Sequence, residues 1–385
     1  MKALKEALAL YWARLDKILL FLCLTASAYG MVIIHSATAY TGSNKYVLVQ
    51  GIGLFLGLVC ALIMAFIDYD RLKKLFWIFM AVSVALLGAT LIMGTGGEET
   101  GNQSWIRFKL GGFELGVQPS EMVKIAFVFT FACHLSRLKE RVNSIVGLLG
   151  LGVHAGVIMG LVALQGDLGT ALVFVFIVLT MLFAAGLNIF YFLGAFAVVG
   201  ATAPVLWNFL KPYQQQRIIY GFYPQGDPSG YGYQALLSEM MIGAGGTTGY
   251  GYMQGPHVQK GALFAQHTDF IFAAAGEDLG FVGTAAIILL LLLICGKIAY
   301  SAIMAKNMMG RLLCAGIFGM LTFQILCNIA MCLAVFPVIG ITLPFFSYGG
   351  SSIVSVFLGV GVVLSVNARR DEYFYEYTVG EEEFR

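Results

Sequence analysis

Long apolar runs separated by short polar segments make up most of this chain. Ten of these runs approach the length of about 20 residues that an α-helix needs to cross the hydrocarbon core of a bilayer. The pattern predicts an all-α polytopic membrane protein, with a large extracytoplasmic loop at 211–267 between the seventh and eighth spans. The predicted spans are 17–36, 46–68, 72–94, 119–137, 145–164, 168–187, 189–210, 268–299, 310–336 and 350–368.

Composition supports a single membrane domain over residues 17–368. The chain has 385 residues, of which 59% are hydrophobic and 11% are charged, whereas a soluble domain carries roughly 25% charged residues. All 7 cysteines fall in apolar runs, without the CxxC spacing of metal or redox sites. We therefore expect these cysteines to be small core residues rather than disulfide partners or metal ligands.

The distribution of Lys and Arg predicts the orientation of the chain. Short cytoplasmic loops carry an excess of these residues, and 16 of the 23 lie on the side of the two termini. Both termini are therefore expected in the cytoplasm, with an interfacial amphipathic helix over 1–16 and an acidic cytoplasmic tail over 369–385. The other seven are Lys45, Arg107, Lys109, Lys124, Lys211, Arg217 and Lys260.

The largest predicted outer loop, 211–267, is much longer than a connection requires, and loops of this length are usually functional. Within it, Gln234 to Gly243 has the apolar spacing of a short helix. The glycine-rich residues that follow cannot form a regular helix. We expect a turn there that lets the backbone approach a ligand.

Asp269 lies where the polar loop enters the eighth apolar run. Ionisable groups inside a membrane are unfavourable and usually functional, and this carboxylate is placed to meet both water and lipid. The alternative is that Asp269 only caps the helix that begins after Thr268.

Glu121 and Lys124 lie three residues apart at the start of the fourth span, so they share one helix face. They are either an interfacial pair with a snorkelling lysine or a pair in which the lysine faces a phosphate-bearing lipid. Asp167 begins the sixth span, where capping of the helix is the favoured interpretation.

Two further stretches carry candidate residues. Ser347 and Ser351 belong to 345–352, which is either a simple turn or an anion site of hydroxyl and backbone N–H groups at a helix N-terminus. Trp105 is typical of the aromatic belt at a membrane surface. Asn328 lies in the middle of a span, where hydrogen bonding between helices explains it.

Several classes of function are excluded by motifs that the sequence lacks. It contains no nucleotide-binding loop, no metal-ligand cluster of fixed spacing and no basic patch interleaved with aromatic residues. We expect neither a nucleotide cofactor nor a nucleic-acid partner.

Together, these segments resemble the RodA, FtsW and SpoVE proteins, the SEDS family, which polymerise a lipid-linked cell-wall precursor. The matching segments are Trp105-Ile106, Gln118-Pro119-Ser120-Glu121-x-x-Lys124, Gln165-x-Asp167-Leu168-Gly169-Thr170, Gln216-Arg217-Ile218, Tyr233-Gln234, Gly243-x-Gly245-Gly246, His267-Thr268-Asp269-Phe270-Ile271-Phe272, Glu277-x-Leu279-Gly280 and Leu343-Pro344-Phe345-x-Ser347-Tyr348-Gly349-Gly350-Ser351-Ser352.

The resemblance implies a peptidoglycan glycosyltransferase in the bacterial cytoplasmic membrane that polymerises lipid II into β-1,4 glycan strands on the outer face. Asp269 matches the essential acid of the family, and Trp105 matches a position associated with activity. We expect Asp269 to act as general base for an inverting transfer, with undecaprenyl pyrophosphate as the leaving group. The expected substrate-binding residues are Trp105, Glu121, Lys124, Asp167, Arg217, Gln234, His267, Ser347 and Ser351.

The resemblance also implies partners and leaves one alternative function. Lys124 and Arg217 are expected to stabilise the pyrophosphate, and a divalent cation, Mg²⁺ or Mn²⁺, is a candidate cofactor. The expected partners are lipid II, a class B penicillin-binding protein and other proteins of the elongation or division complex.

The short termini and the Leu-Pro-Phe-Phe-Ser-Tyr segment favour rod-shape elongation over division or sporulation. The alternative is a lipid II flippase, although we see no discontinuous, repeated half-helices of the kind found in many transporters.

Overall fold

The computed structural model describes residues 12, 14–95, 103–110, 113–210 and 212–370. Most of the predicted interfacial helix over 1–16 and nearly all of the predicted acidic tail over 369–385 lie outside the described residues. Both stay predictions.

Each of the ten predicted spans holds one helix, and the structure adds two helices in the large loop. Six helices precede the seventh span: α1 (Lys17–Thr38), α2 (Lys45–Phe66), α3 (Phe76–Met93), α4 (Pro119–Leu138), α5 (Ile145–Leu164) and α6 (Leu168–Ala184). Six more follow: α7 (Ile189–Trp207), α8 (Pro212–Phe222), α9 (Tyr233–Ala244), α10 (Ile271–Ile303), α11 (Met308–Cys332) and α12 (Gly350–Ala368).

The helices confirm a polytopic α-helical membrane protein. Among the described residues, 7 helices are long and apolar enough to cross a membrane, and they comprise α1, α2, α3, α5, α10, α11 and α12. Two more, α6 and α7, are apolar but shorter. The remaining one, α4, has 20 residues and includes Glu121, Lys124 and Arg137. The count of ten spans stays a prediction.

Small elements between the predicted spans add to the helical pattern. Strands β1 (Ile106–Leu110) and β2 (Phe113–Val117) form an antiparallel hairpin in which Ile106 pairs with Val117. The predicted helix over 234–243 is present as α9, and α8 is an amphipathic helix that the hydrophobic pattern did not reveal.

The core is assembled around α12, which packs most extensively against α2. Gly53, Gly57 and Ala61 repeat every four residues on the buried face of α2. Small residues at this spacing allow two membrane helices to approach closely. A Cβ atom added to Gly57 would lie 3.0 Å from Cβ of Phe357, so the contact has no room for a larger side chain.

Helix α10 is interrupted at Gly280, contrary to the expectation of one continuous span. Gly280 has φ 65° and ψ −160°, a conformation that residues with a side chain rarely adopt. The interruption divides α10 into an outer segment, 271–279, and a membrane segment, 281–303. With about 1.5 Å per residue, the membrane segment alone is long enough for the roughly 30 Å hydrocarbon core.

The glycine-rich turn after α9 fills this interruption. The N–H groups of Tyr250 and Gly251 donate to the carbonyls of Glu277 (3.0 Å) and Asp278 (2.9 Å). On the other side of Gly280, the N–H groups of Phe281 and Val282 donate to carbonyls of the same turn at 2.9 and 3.0 Å. We expected this turn to let its backbone approach a ligand. For the N–H and carbonyl groups named here that prediction is wrong, because they bind the backbone of α10.

Candidate functional site

Asp269 lies at the N-terminal end of α10, in the turn immediately before the helix. Phe270 occupies the N-cap position and no side chain caps this helix, so the structure does not support the capping alternative. The amide of Asn328 in α11 donates to the carbonyl of Asp269 and to that of Ile341, both at 2.7 Å. The mid-span amide was expected to join helices; instead, it fixes the backbone of two outer segments.

The carboxylate of Asp269 is partly buried beside Gly340. A Cβ atom added to Gly340 would lie 3.6 Å from Oδ2 of Asp269. Burial raises the pKa of Asp269 to about 6, while the charge of Arg217 and a hydrogen bond from Thr268 oppose this shift and Asp167 adds slightly to it. A carboxyl group with this pKa can accept a proton near neutral pH and release it readily.

Arg217 reaches this site because residues 212–222 form α8. Its guanidinium is half-buried and acts electrostatically on Asp269. Gly221, one turn further along α8, lies against Pro337. This contact places α8 next to 337–349, the segment that also contains Gly340.

Asp167 is the N-cap of α6, as the sequence favoured. Its Oδ1 accepts from the N–H of Thr170 at 2.9 Å, and its Oδ2 accepts from the hydroxyl of Thr170 and from Nε2 of Gln118, each at 2.9 Å. Burial raises the pKa of Asp167, and the two hydrogen bonds from Thr170 together with the charge of Lys124 oppose the shift. Both oxygens are thus occupied by protein donors.

Glu121 and Lys124 form a buried ion pair whose charges act on Asp167. Nζ of Lys124 lies 2.7 Å from Oε1 of Glu121, and the two residues are 1% and 5% exposed. The snorkelling alternative is wrong, because the lysine does not reach the surface. Oε2 of Glu121 has no hydrogen-bond partner among the described residues. Buried ion pairs with unfilled hydrogen-bonding capacity are unfavourable for stability, and inside a membrane they usually line functional sites.

Ser347 holds the chain next to Asp269. Its hydroxyl donates to the carbonyl of Thr268 at 2.6 Å and accepts from the N–H of Leu343 at 2.7 Å. Gln50 of α2 binds the same turn through the carbonyl of Ser347 (3.2 Å) and the N–H of Gly349 (3.0 Å). The turn interpretation of 345–352 therefore accounts for Ser347; substrate binding by Ser347 stays a prediction.

His267 lies in an aromatic cluster beside the site. Its ring packs against Tyr46 and Tyr348, with centroids 4.8 and 5.5 Å away. Burial lowers its pKa, so the ring is neutral at neutral pH. Within the described part of the chain, its Nδ1 is buried without a hydrogen-bond partner.

Three predicted site residues lie further from Asp269. The backbone of Trp105 pairs with Thr95 at the base of the hairpin, and its ring packs on Gly116. Ser351 begins α12 and weakly accepts the N–H of Gln118 at 3.5 Å. Gln234 begins α9 with its Oε1 buried. Among the described residues, none of the three makes a hydrogen bond to Asp269.

The structure therefore brings Asp269, Arg217, Asp167, Lys124 and Glu121 into one electrostatically connected site. Sequence reasoning missed the supporting residues Gly340 and Gln50, which lie far away along the chain and carried no motif signal. The described residues include no group of three His, Cys, Asp or Glu side chains with metal-binding geometry. A cation here would need most of its ligands from water and substrate phosphates, as Mg²⁺ often has.

Comparison with known proteins matches nearly the whole chain. A family model described as "Cell cycle protein", FTSW_RODA_SPOVE, matches residues 16–372. The chain is 33% identical over 366 residues to the probable peptidoglycan glycosyltransferase FtsW of Trichlorobacter lovleyi, covering 92% of this chain and 94% of the relative. It is 32% identical over 370 residues to peptidoglycan glycosyltransferase MrdB of Escherichia coli (strain K12), covering 94% and 96%.

A solved structure has the same fold. It is described as "Structural coordination of polymerization and crosslinking by a peptidoglycan synthase complex" and superposes with a TM-score of 0.80 at 30% identity. The match covers 93% of this chain and 99% of that chain.

Proposed function

The chain belongs to the FtsW, RodA and SpoVE family and is a peptidoglycan glycosyltransferase, and from this premise we propose that it polymerises lipid II with Asp269 as general base. One observation carries the assignment of Asp269. Both oxygens of Asp167 accept hydrogen bonds from protein donors, whereas Asp269 is partly exposed. Burial raises the pKa of both acids, to about 6 for Asp269, so the open carboxylate is what separates them.

The proposed reaction is a direct displacement at the anomeric carbon. The 4-hydroxyl oxygen of the acceptor sugar forms the new β-1,4 bond while the α bond to undecaprenyl pyrophosphate breaks. The bonding electrons leave with the pyrophosphate, and the hydroxyl proton moves to Asp269. A single carboxylate is sufficient because the pyrophosphate needs no proton to leave.

The leaving group requires stabilisation of its negative charge. We assign this role to Arg217, whose charge acts on Asp269, and to Lys124. For Lys124 to bind the pyrophosphate, its ion pair with Glu121 has to open, or its ammonium group has to donate to both Glu121 and the substrate. A divalent cation bound to the pyrophosphate would supply further charge stabilisation, with water and substrate oxygens as its main ligands. Addition of a chelator, followed by Mg²⁺ or Mn²⁺, tests this; a rate that chelation leaves unchanged would remove the cation from the proposal.

The charge distribution supports placement of the site on the outer face. Lys297 lies near the far end of α10 from Asp269, where it pairs with Asp16 at 2.8 Å. Arg369 donates to the carbonyls of Ala65 and Phe66 at that same side. With this basic side in the cytoplasm, Asp269 faces the outside of the bacterial cytoplasmic membrane.

A class B penicillin-binding protein is the proposed partner, since the similar structure concerns coordinated polymerisation and crosslinking. We further propose rod-shape elongation as the cellular role. Identity to FtsW and MrdB relatives is 33% and 32%, so expression in strains depleted of one or the other protein is the deciding test. Rescue of division alone would overturn the elongation role.

The primary test is polymerisation of labelled lipid II by purified protein, with and without its penicillin-binding partner. The wild-type protein should form glycan strands, and a folded Asp269→Ala variant should form none. Substantial polymer from that variant would refute the general-base assignment. Transfer of lipid II across vesicles without polymer formation would support the flippase alternative.

A further inference from the structure

Two carboxylates that the proposed reaction does not use lie at the end of the outer segment of α10. Glu277 is 0% exposed and Asp278 is 2% exposed. The C-terminal end of a helix carries partial negative charge and therefore disfavours carboxylates. Their presence here requires compensating contacts, and these contacts all come from outside α10.

Glu277 binds the loop that returns from the glycine-rich turn. Its Oε2 accepts from the N–H of Val258 at 2.8 Å, and its Oε1 pairs with Nδ1 of His257 at 2.6 Å. The N–H of His257 also donates to the carboxylate. One buried side chain thus fixes two consecutive backbone groups and an imidazole.

Asp278 holds the preceding part of the same loop. It accepts from the N–H of Gly255 at 3.0 Å and from the hydroxyl of Ser36 in α1. Together, Glu277 and Asp278 attach residues 253–258 to the far end of the outer segment.

The loop then runs back along the outer segment to Asp269. Gln266, which is 0% exposed, donates to the carbonyl of Val258 at 2.9 Å and to that of Ala37 at 2.7 Å. The N–H of Thr268 and that of Phe270 then donate to the carbonyl of Ala265. We call residues 253–270 the arch: Glu277 and Asp278 fix one of its ends, and its other end carries Asp269.

We propose that Glu277 is a positioning residue for Asp269, which it holds in reacting geometry by fixing the arch. The inference rests on the proposed function. A positioning role explains why Glu277 is buried about two helical turns from Asp269 without being exposed to substrate. Asn328 and Ser347 hold the backbone at Asp269 and Thr268 themselves. The arch holds the residues that lead up to them.

The titratable and charged groups around both acids are few. Glu277 faces His257 of the loop and Asp278 of its own helix, while Asp269 faces Arg217 of α8, Asp167 before α6 and the thiol of Cys332 in α11. A looser arch would admit water to Asp269. Its pKa would then fall from about 6 towards the ordinary carboxyl value.

The test compares Glu277→Leu and Glu277→Gln with wild type in the complete complex with its partner. Glu277→Leu removes the hydrogen bonds of this carboxylate to His257 and Val258 while those of Asp278 remain, so kcat should fall about 10- to 100-fold, the size of effect expected from a small misplacement of a catalytic group. KM for lipid II should stay within about twofold, because no substrate contact is lost. The acid limb of the pH–rate profile should move to lower pH. Glu277→Gln should fold and recover part of kcat, because its amide oxygen still accepts from Val258.

The matched control is Asp16→Asn, which removes the ion pair with Lys297 near the cytoplasmic end of the same helix. It should lower Tm without changing kcat or the acid limb. The inference is overturned if the Glu277 variants keep wild-type kcat, or if they lose activity only in proportion to Tm with an unmoved acid limb. If Glu277→Leu does not fold, Glu277→Gln carries the same two criteria. Asp269→Asn in the same assay separates the hypotheses, since an active Asp269→Asn variant refutes the general base itself.

Discussion

Asp269 and Asp167 stand in similar sequence positions, each immediately before an apolar helix, yet their surroundings differ. Asp167 caps α6 and has both oxygens filled by Thr170 and Gln118. Asp269 caps nothing; its backbone is held by Asn328 and its carboxylate faces Gly340 and Arg217. The comparison teaches that two acids at similar sequence positions can differ in free hydrogen-bonding capacity because of their tertiary contacts, and this difference supports the proposed general base at Asp269.

The largest expected effect is a difference between the same substitution at the two acids. Asp269→Asn removes the base, so polymerisation should fall by about 10²- to 10⁴-fold. Asp167→Asn preserves a good helix cap and should retain much more activity. The measurement is product length and yield from labelled lipid II, normalised to folded protein. Equal losses at both positions would break the distinction between the two acids.

The second effect concerns the buried ion pair. Lys124→Met leaves the carboxylate of Glu121 buried without its partner, which is expected to cost about 3–5 kcal/mol. Lys124→Met combined with Glu121→Met should regain much of the thermal stability but not the use of lipid II. Thermal unfolding and kinetics of the two variants separate these effects; a double variant with normal kinetics would remove Lys124 from the substrate site.

The third prediction concerns pH. Because the base must be ionised, the rate should rise as pH passes through about 6, the raised pKa of Asp269, and then level off. The contribution of Asp269 to folding stability changes with pH in the opposite direction. A carboxyl group whose pKa is raised by folding binds protons more strongly in the folded state, so its contribution to stability decreases as pH rises through this range.

Asp269→Asn should therefore be at least as stable as wild type at pH 7.5 and should lose this part of the pH dependence. Thermal unfolding between pH 5 and 8 is the measurement. A variant that is less stable than wild type at every pH would contradict the unfavourable burial of this carboxylate.

The smallest expected effect sharpens the electrostatic link between the two acids. Asp167 contributes to the raised pKa of Asp269, so Asp167→Asn should move the acid limb of the rate slightly to lower pH. A limb that moves to higher pH would show that Asp167 acts on the site by another route.

The hydrophobic pattern predicted most of the fold because each apolar run must satisfy its backbone hydrogen bonds internally inside a membrane. It therefore fixed the positions of helices such as α2 and α12 to within a few residues. It did not reveal α8, whose mixed polarity gave no apolar run, or the hairpin. The interruption at Gly280 was also missed, because the partners that complete it lie some 30 residues earlier in the chain.

The sequence by itself determined that this is a polytopic membrane protein with Asp269 next to the start of an apolar run, because hydropathy, charge and local motifs are properties of neighbouring residues. Only the tertiary structure decided that Asp167 is bound on both oxygens, that Lys124 is buried with Glu121, and that Arg217 faces Asp269. Gln118 and Asp167 lie 49 residues apart, Arg217 and Asp269 lie about as far apart, and the burial of Lys124 depends on the helices that pack against α4. A side chain's pKa and free hydrogen-bonding capacity follow from such contacts.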